Sequence, residues 1–313
     1  FQAIEHYPPI QNLLHIIGRN SKVTCFTTTG QLSKGNFLIN LLRLGKSQEG
    51  KLQLLLSYLL FNSITLFLLI IKRPQKVIYY EIVSAFPAYV YKRFINRNAD
   101  IYIHYHEYTS SSDHLNGGKF NRFLHKLEKW IYPKAEWISQ TNTIRLDKFL
   151  SDENIVYNPK IHKTLPNYPQ RKWGTQNSNW NVDTPLKLIY VGYAAGLKTS
   201  YVKEFVDWIK IQSIETEVDF YCVNGNQFPK ELIGNHGLSN VRLMPAISYQ
   251  ELPELISNYH VGLILYRGLT ENYIYNAPNK LFEYLSCGLD VWYPKVMIGI
   301  HPYQSDMNPK VIG

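Results

Sequence analysis

Three polar residues at the start of a predicted helix have types and spacing suited to binding a phosphate and a sugar. The segment Asn276–Val291 predicts a loop, a short helix that ends at Gly288, and a strand. Asn279, Lys280 and Glu283 lie at the N-terminal end of that helix, where free N–H groups and the helix dipole attract phosphate. Lys280 adds a positive charge, and the Glu283 carboxylate can accept hydrogen bonds from sugar hydroxyls. A diphosphate carrying a ribose would satisfy all three. The alternative is a surface helix with a solvated Lys and Glu.

The same segment resembles the donor-site signature of GT-B glycosyltransferases, in particular family 4, which carry P-x-K-x-x-E-Y-x-x-x-G before a strand. The residues that match are Pro278, Lys280, Glu283, Tyr284 and Gly288. The resemblance implies an α/β chain with two Rossmann-like domains facing each other across a cleft. It assigns Glu283 to the ribose hydroxyls of a nucleotide-diphosphate sugar, and it extends the donor site to Asn279, Lys280 and Leu281.

Two further loops of the second half suit the same donor. Strand Leu186–Gly192 leads through a glycine-bearing loop into a helix, an arrangement that binds phosphate in Rossmann-like folds. The resemblance implies that Lys198 contacts the diphosphate, and that the turn at Asn224 and Gly225 holds the base. Tyr193 stands where the family usually supplies an Arg.

His106 and Glu107 are the candidate catalytic residues. They end the predicted strand Ile101–His106, and open α/β sheets place ligands at the C-terminal ends of their strands. His106-Glu107 resembles the "HE" of the same family, which implies that His106 lies near the transferred sugar. A metal site with His104 is the alternative, but no third histidine has matching spacing and HExxH is absent. We expect His104 to be structural and the loop Tyr108–Gly118 to cover the site.

One departure from the family concerns the transferred sugar. Family 4 commonly carries Glu-x7-Glu; Glu283 is the second Glu, and Tyr275 holds the first position. The identity of the sugar therefore cannot be carried over. No Asp-x-Asp occurs, so we expect neither a metal nor another cofactor. The resemblance implies retention of the anomeric configuration.

The domain boundaries follow from composition. We expect an acceptor-side domain over 1–168, a polar linker over 169–184, and a nucleotide-sugar-binding domain over 185–313. Strands alternate with helices in both parts, which predicts parallel sheets. Family members usually continue beyond the signature strand, so we expect this chain to lack a C-terminal portion.

The positive charge is concentrated in the first half of the chain. Of the net charge of +9, residues 1–150 carry +10 and the remainder −1. This asymmetry favours an anionic membrane surface as a partner of the first domain. The alternative is a soluble basic domain without such a partner. We expect no nucleic acid partner. Three cysteines without metal or redox spacing indicate a reduced, cytoplasmic protein.

The most apolar segment is Leu52–Ile71. Polar residues such as Gln53, Asn62 and Thr65 interrupt it, and a strand follows closely. We therefore expect a helix buried against the sheet; a membrane span is the alternative, since about 20 apolar residues cross a bilayer.

The combined features predict a glycosyltransferase that moves a sugar from a nucleotide-diphosphate sugar to a glycan or lipid-linked acceptor. We expect it to act in cell-surface polysaccharide or glycolipid assembly, peripheral at the inner membrane face. Two alternatives remain: a sugar-nucleotide epimerase of the same fold, for which Glu107 is the candidate acid–base group, and a non-catalytic nucleotide-sugar-binding protein.

Overall fold

The computed structural model of the chain describes residues 8–29, 40–46, 51–174, 183–193, 198–223 and 239–313. The chain divides into two compact units, Phe1–Pro166 and Asn167–Gly313. Each unit is built on parallel β-sheet, as the alternation of strands and helices predicts.

The described residues of the first unit form a two-stranded and a four-stranded sheet. Strands β1 (Thr24–Thr29) and β2 (Asn40–Lys46) pair in parallel. Strands β3 (Lys76–Tyr80), β4 (Asp100–Tyr105), β5 (Trp137–Gln140) and β6 (His162–Thr164) pair in parallel in chain order. The α-helices of this unit are Pro8–Gly18, Lys51–Lys72, Ala85–Val90, Ser111–Asn116, Lys119–Ile131 and Thr143–Asp152; the π-helical turn Tyr91–Ile95 continues the third.

In the second unit, the strands that the structure describes form one parallel sheet of six. Its strands are β7 (Leu186–Tyr193), β8 (Thr216–Val223), β9 (Val241–Met244), β10 (Val261–Leu263), β11 (Asp290–Trp292) and β12 (Val311–Ile312), in the order β12-β11-β10-β7-β8-β9. Its described α-helices are Val202–Ile209, Leu252–Ile256, Glu271–Ile274 and Asn279–Ser286. In β7, Leu188 and Tyr190 pack in one core cluster while Ile189 and Val191 pack in another. Both faces of the sheet are therefore covered, which explains the apolar run from residue 188 to residue 191 of this strand.

Two local features differ from the sequence predictions. Part of the segment predicted as a linker belongs to the second unit, because Trp173 is 2% exposed and packs in its core. The predicted loop Tyr108–Gly118 contains the helix Ser111–Asn116, which starts with a capping box between Ser110 and Asp113.

The burial predicted for the long apolar helix is wrong. The helix Lys51–Lys72 forms, but only 28% of its most apolar window is buried. Its buried residues form one stripe, which includes Tyr58, Phe61, Asn62, Thr65 and Leu69. Among the described residues this is the one helix long and apolar enough, by length and composition, to cross a bilayer.

Candidate functional site

The helix Asn279–Ser286 is fixed to the sheet of the second unit by Tyr284. The Tyr284 hydroxyl accepts a hydrogen bond from the backbone N–H of Val191 in β7, at 3.0 Å. The ring lies against Gly262 of β10, where an added Cβ would come within 2.2 Å of it. Gly288, at φ 81°, ends the helical turn in the left-handed conformation expected of glycine. These contacts set where the N-terminal end of the helix lies relative to β7 and β10.

Lys280 and Glu283 form an ion pair in the first turns of this helix. The Lys280 ammonium lies 2.5 Å from Oε2 of Glu283, whose side chain is 2% exposed against 19% for Lys280. A buried carboxylate is stable as the anion when it is paired and hydrogen-bonded. Because an ammonium has three donors, Lys280 can hold Glu283 and still offer a donor to an anion.

The helix start differs from the predicted arrangement at Leu281. Pro278 precedes the helix as its N-cap residue. The N–H of Leu281, predicted to face the donor, donates to the Pro278 carbonyl at 3.0 Å. The N–H groups of Asn279 and Lys280 remain the candidate anion donors, since the first residues of a helix have no intrahelical acceptor.

The other predicted donor-site residues lie after β7 and β8. Lys198 is exposed and lies in a turn, and the backbone carbonyl of its neighbour Thr199 accepts a hydrogen bond from the N–H of Arg267 at 3.1 Å. Ser200 forms a β-bridge with Tyr266, so the end of this loop is tied to the segment that follows β10. Asn224 and Gly225 lie outside the described residues.

In the first unit, His106 and Glu107 follow β4 and are held by a carboxylate. Oε1 of Glu81 accepts hydrogen bonds from the backbone N–H of His106 at 2.6 Å and of Glu107 at 2.9 Å. Arg145, 1% exposed, donates from Nη1 to the His106 carbonyl at 2.7 Å. The turn at His106 is thus fixed from both sides, by the Glu81 carboxyl group and the Arg145 guanidinium, and the Glu107 side chain is exposed.

Glu81 has an unusual backbone and an unusual acidity. Its φ of 60° and ψ of 154° fall in a region that residues with a Cβ rarely adopt, a strain that clusters at functional sites. Burial raises the pKa of Glu81 to about 7, although the amides of Glu107 and His106 oppose the shift. Burial also lowers the pKa of Arg145 to about 10, so Arg145 stays charged at neutral pH. Glu81 therefore exchanges a proton close to neutrality, as an acid–base group does.

A small pocket of about 20 Å³, here called the polar pocket, opens beside these residues and has room for a water-sized group. It is lined by Glu81, Ile82, Tyr105, Glu107, Thr109, His114, Tyr132, Gln140, Phe149 and Glu153. Within the part of the chain that the structure describes, Oε1 of Gln140 and Nδ1 of His114 have no hydrogen-bond partner, although these residues are 2% and 7% exposed. Unpaired buried polar atoms are costly, and a ligand hydroxyl would satisfy either of them.

Two other titratable groups near the pocket have structural partners. Nδ1 of His104 lies 2.8 Å from the Ser139 hydroxyl, and burial lowers the pKa of His104 to about 3, so this histidine is neutral and structural. Glu128, 0% exposed, accepts hydrogen bonds from the hydroxyls of Tyr79 and Tyr132, and burial raises its pKa to about 8. Among the described residues, no group of three or more His, Cys, Asp or Glu side chains is placed to hold a metal ion.

The sequence analysis missed Glu81, Gln140 and Arg145. Glu81 and Gln140 carried a usable signal, since each lies at the C-terminal end of a parallel strand, where ligands bind. Arg145 carried none, because it lies inside a helix and reaches the site only through the fold.

Comparison with solved structures identifies the architecture. The structure of lipopolysaccharide outer core galactosyltransferase WaaB in its apo form matches with a TM-score of 0.62 and 16% identity, over 94% of this chain and 77% of that one. Sucrose-phosphate synthase from Thermosynechococcus elongatus matches with a TM-score of 0.62 and 14% identity, over 91% of this chain and 74% of that one. Phytolacca americana UGT2, complexed with UDP-2fluoro-glucose and pterostilbene, matches with a TM-score of 0.56 and 11% identity, over 96% of this chain and 81% of that one.

No protein-family model matches the chain, and no curated protein does. At these identities the structural matches establish the fold alone. The chain has the GT-B fold of two Rossmann-like domains, as its resemblance to these glycosyltransferases implies.

Proposed function

We propose that the chain is a glycosyltransferase that moves a sugar from a nucleotide-diphosphate sugar to a glycan or lipid-linked acceptor, with retention of configuration. The observation that carries this proposal is the buried Glu283 paired with Lys280 at the start of a helix that Tyr284 fixes against β7. The GT-B fold supports it, and UGT2, which shares that fold, is complexed with a UDP-sugar analogue.

The second unit would bind the donor. The N–H groups of Asn279 and Lys280, the Lys280 ammonium and Lys198 would hold the diphosphate, and Glu283 would accept hydrogen bonds from the ribose hydroxyls. Charges and N–H dipoles fixed before the reaction stabilise a departing diphosphate without a metal ion. We propose no metal or other cofactor.

The polar pocket of the first unit would bind a hydroxyl group of the acceptor. Glu81 and Gln140 offer acceptor oxygens there, and His106 and Glu107 lie on the turn beside them. Both amide hydrogen bonds to Glu81 are made by Oε1, so a proton received at Oε2 would break neither of them.

A sugar-nucleotide epimerase is the second candidate function. The observation that favours it is the juxtaposition of Glu81 and Glu107 at one pocket, since an epimerase needs carboxylates that give and take protons. Incubation with a panel of nucleotide sugars separates the two: an epimerase converts a donor alone, whereas a transferase needs an acceptor. A non-catalytic binding protein would bind a nucleotide and convert no donor under either condition.

Nucleotide binding tests the donor site directly. Titration calorimetry with UDP, GDP, ADP and CMP should identify one preferred base. Glu283→Gln should then weaken binding of that nucleoside diphosphate about tenfold or more, because a charge-assisted hydrogen bond contributes about 1.5–3 kcal/mol. Glu254→Gln, an exposed glutamate of the same unit, is the matched control and should bind as the parent does. Equal affinity in all three proteins would remove the assignment of Glu283.

A further inference from the structure

We propose that three adjacent helical segments of the first unit form a surface that binds an anionic lipid bilayer, with the Lys51–Lys72 helix lying in the plane of the interface. The segments are Lys51–Lys72, Ala85–Ile95 and Lys119–Ile131, here called the three-helix face. The Ala85–Val90 helix contacts both of the others, so the segments form one continuous surface. This attachment does not depend on the chemistry proposed above.

The long helix has one attached side and one free apolar side. At 100° per residue, the buried stripe Tyr58–Leu69 lies opposite Leu56, Leu60 and Phe67. These three side chains are 57%, 51% and 61% exposed, and Leu52, Leu59 and Ile71 add further exposed apolar area. A contiguous apolar surface of this extent on a folded unit marks an interaction site.

The attached side argues against a transmembrane orientation. Tyr58 packs on Leu124 and lies 4.8 Å from the ring of Phe120, and Leu69 packs on Tyr91. Lipid would surround a spanning helix on all sides, whereas this helix is attached to the unit along one buried stripe. A helix with one polar or occupied side and one apolar side lies along the interface.

The charges of the neighbouring segments select an anionic surface. Lys119, Arg122 and Lys126 are exposed at i, i+3 and i+7 of one helix, beside Phe120 and Phe123, which are 46% and 48% exposed. The acidic residue of that helix, Glu128, is fully buried. Cations interleaved with aromatic residues, without exposed carboxylates, match anionic headgroups above an acyl layer.

The middle segment has the same composition. Phe94 is 64% exposed, and the Arg93 guanidinium lies 5.3 Å from the ring of Trp130. The sequence from Lys51 to Asn98 contains one acidic residue, Glu81, and backbone amides hold its carboxylate. The negative surface that this face complements is therefore a lipid headgroup layer.

Vesicle flotation tests the electrostatic part. The full chain should bind phosphatidylcholine vesicles that contain about 30% phosphatidylglycerol, and should bind pure phosphatidylcholine at least about tenfold more weakly. The triple variant Lys119→Gln, Arg122→Gln, Lys126→Gln should lose about tenfold or more in affinity for the anionic vesicles. Lys172→Gln, Lys295→Gln, Lys310→Gln removes three exposed cations of the second unit and should bind as the parent does.

A second variant tests the apolar part. Leu56→Gln, Leu60→Gln, Phe67→Gln should weaken vesicle binding about tenfold and abolish the fraction that resists about 0.5 M salt, while nucleoside diphosphate affinity stays unchanged. Binding indifferent to lipid charge and salt would show a spanning helix and overturn the proposal. Failure of the parent to bind vesicles would also overturn it. The proposal would also be overturned if light scattering showed the parent as a dimer and this triple variant as a monomer, because the three-helix face would then bind a second copy of the chain.

Discussion

At the scale of single residues, the first unit places polar atoms where folding alone does not require them. Gln140 ends β5 with an acceptor that no described residue satisfies, and Nδ1 of the buried His114 has no described partner either. Such atoms lower stability unless a ligand uses them. Stability and activity should therefore respond to substitution in opposite directions at this pocket.

Gln140→Met tests that opposition. The substitution removes an unpaired buried acceptor and keeps the side-chain volume, so the free energy of unfolding should stay equal or rise by up to about 1 kcal/mol. The KM for the acceptor should rise about fivefold, because one hydrogen bond to it is lost. Urea denaturation and steady-state kinetics give both quantities, with Gln75→Met, an exposed position of the same unit, as the control. A destabilised variant with an unchanged KM would identify Gln140 as a structural residue.

Glu128 makes the stability of the first unit depend on pH. Its folded pKa of about 8 is above the unfolded value near 4.5, so the native state binds more protons than the unfolded state between these limits. The contribution of Glu128 to the free energy of unfolding is therefore greatest below about pH 4.5, and it is lost as the pH rises through 8. Between pH 5 and 8.5 the parent should lose about 2–4 kcal/mol more than Glu128→Gln does.

Denaturation at both pH values measures this difference. Glu136→Gln, an exposed glutamate of the same unit, should lose as much stability as the parent. If Glu128→Gln lost as much too, Glu128 would not be the titrating group.

At the scale of elements, sequence patterns predicted where strands lie more accurately than they predicted which helices are buried. The strands β4 and β7 occur within one residue of their predicted bounds, because the patterns that predict a strand are local in sequence. The helix Lys51–Lys72 was predicted as a helix but given the wrong surroundings, since an almost uniformly apolar sequence does not show which side faces the protein. The link from Glu81 to His106 joins residues that are distant in sequence, and residue types at single positions do not encode such a pair.

Gly262 is the element-scale contact that positions the donor helix. In Gly262→Ala the new Cβ would come within 2.2 Å of the Tyr284 ring, so the ring, its hydrogen bond to Val191 and the helix that carries Lys280 must shift. We expect a loss of about 1–3 kcal/mol or more in stability, together with weaker nucleotide binding. Thermal unfolding and calorimetry measure the two effects. Gly174→Ala, where an added Cβ makes an ordinary contact of 3.8 Å with the Arg171 carbonyl, should leave both unchanged. A variant as stable as the parent would show that the helix is not held at this contact.

At the scale of the whole molecule, the candidate groups divide between the two units. Lys198, Lys280 and Glu283 belong to the second unit, whereas His106, Glu107 and the polar pocket belong to the first. The GT-B fold could be predicted from the donor-site signature and the alternating strands, because both are local in sequence. The residues that form the pocket of the first unit could not be predicted from the sequence, because β3, β4 and β5 must pair before their ends meet.

This division predicts a kinetic signature for His106. His106→Ala should lower turnover on the order of 10²-fold, the contribution typical of a positioned acid–base group, while nucleoside diphosphate affinity changes less than about twofold. Single-turnover kinetics and calorimetry separate the two effects. His15→Ala, an exposed histidine of the same unit, should behave as the parent does. A parallel loss of nucleotide affinity would place His106 in the donor site instead.

The backbone of Glu81 has a consequence for anyone who engineers this protein. A residue at φ 60° and ψ 154° occupies a conformation that glycine adopts without penalty and that costs other residues about 1–3 kcal/mol. A redesign guided by backbone preference would therefore choose glycine at position 81. That choice would remove the carboxylate that fixes the turn at His106 and Glu107. Thermostabilisation of this chain should accordingly leave position 81 untouched and look for its gains elsewhere.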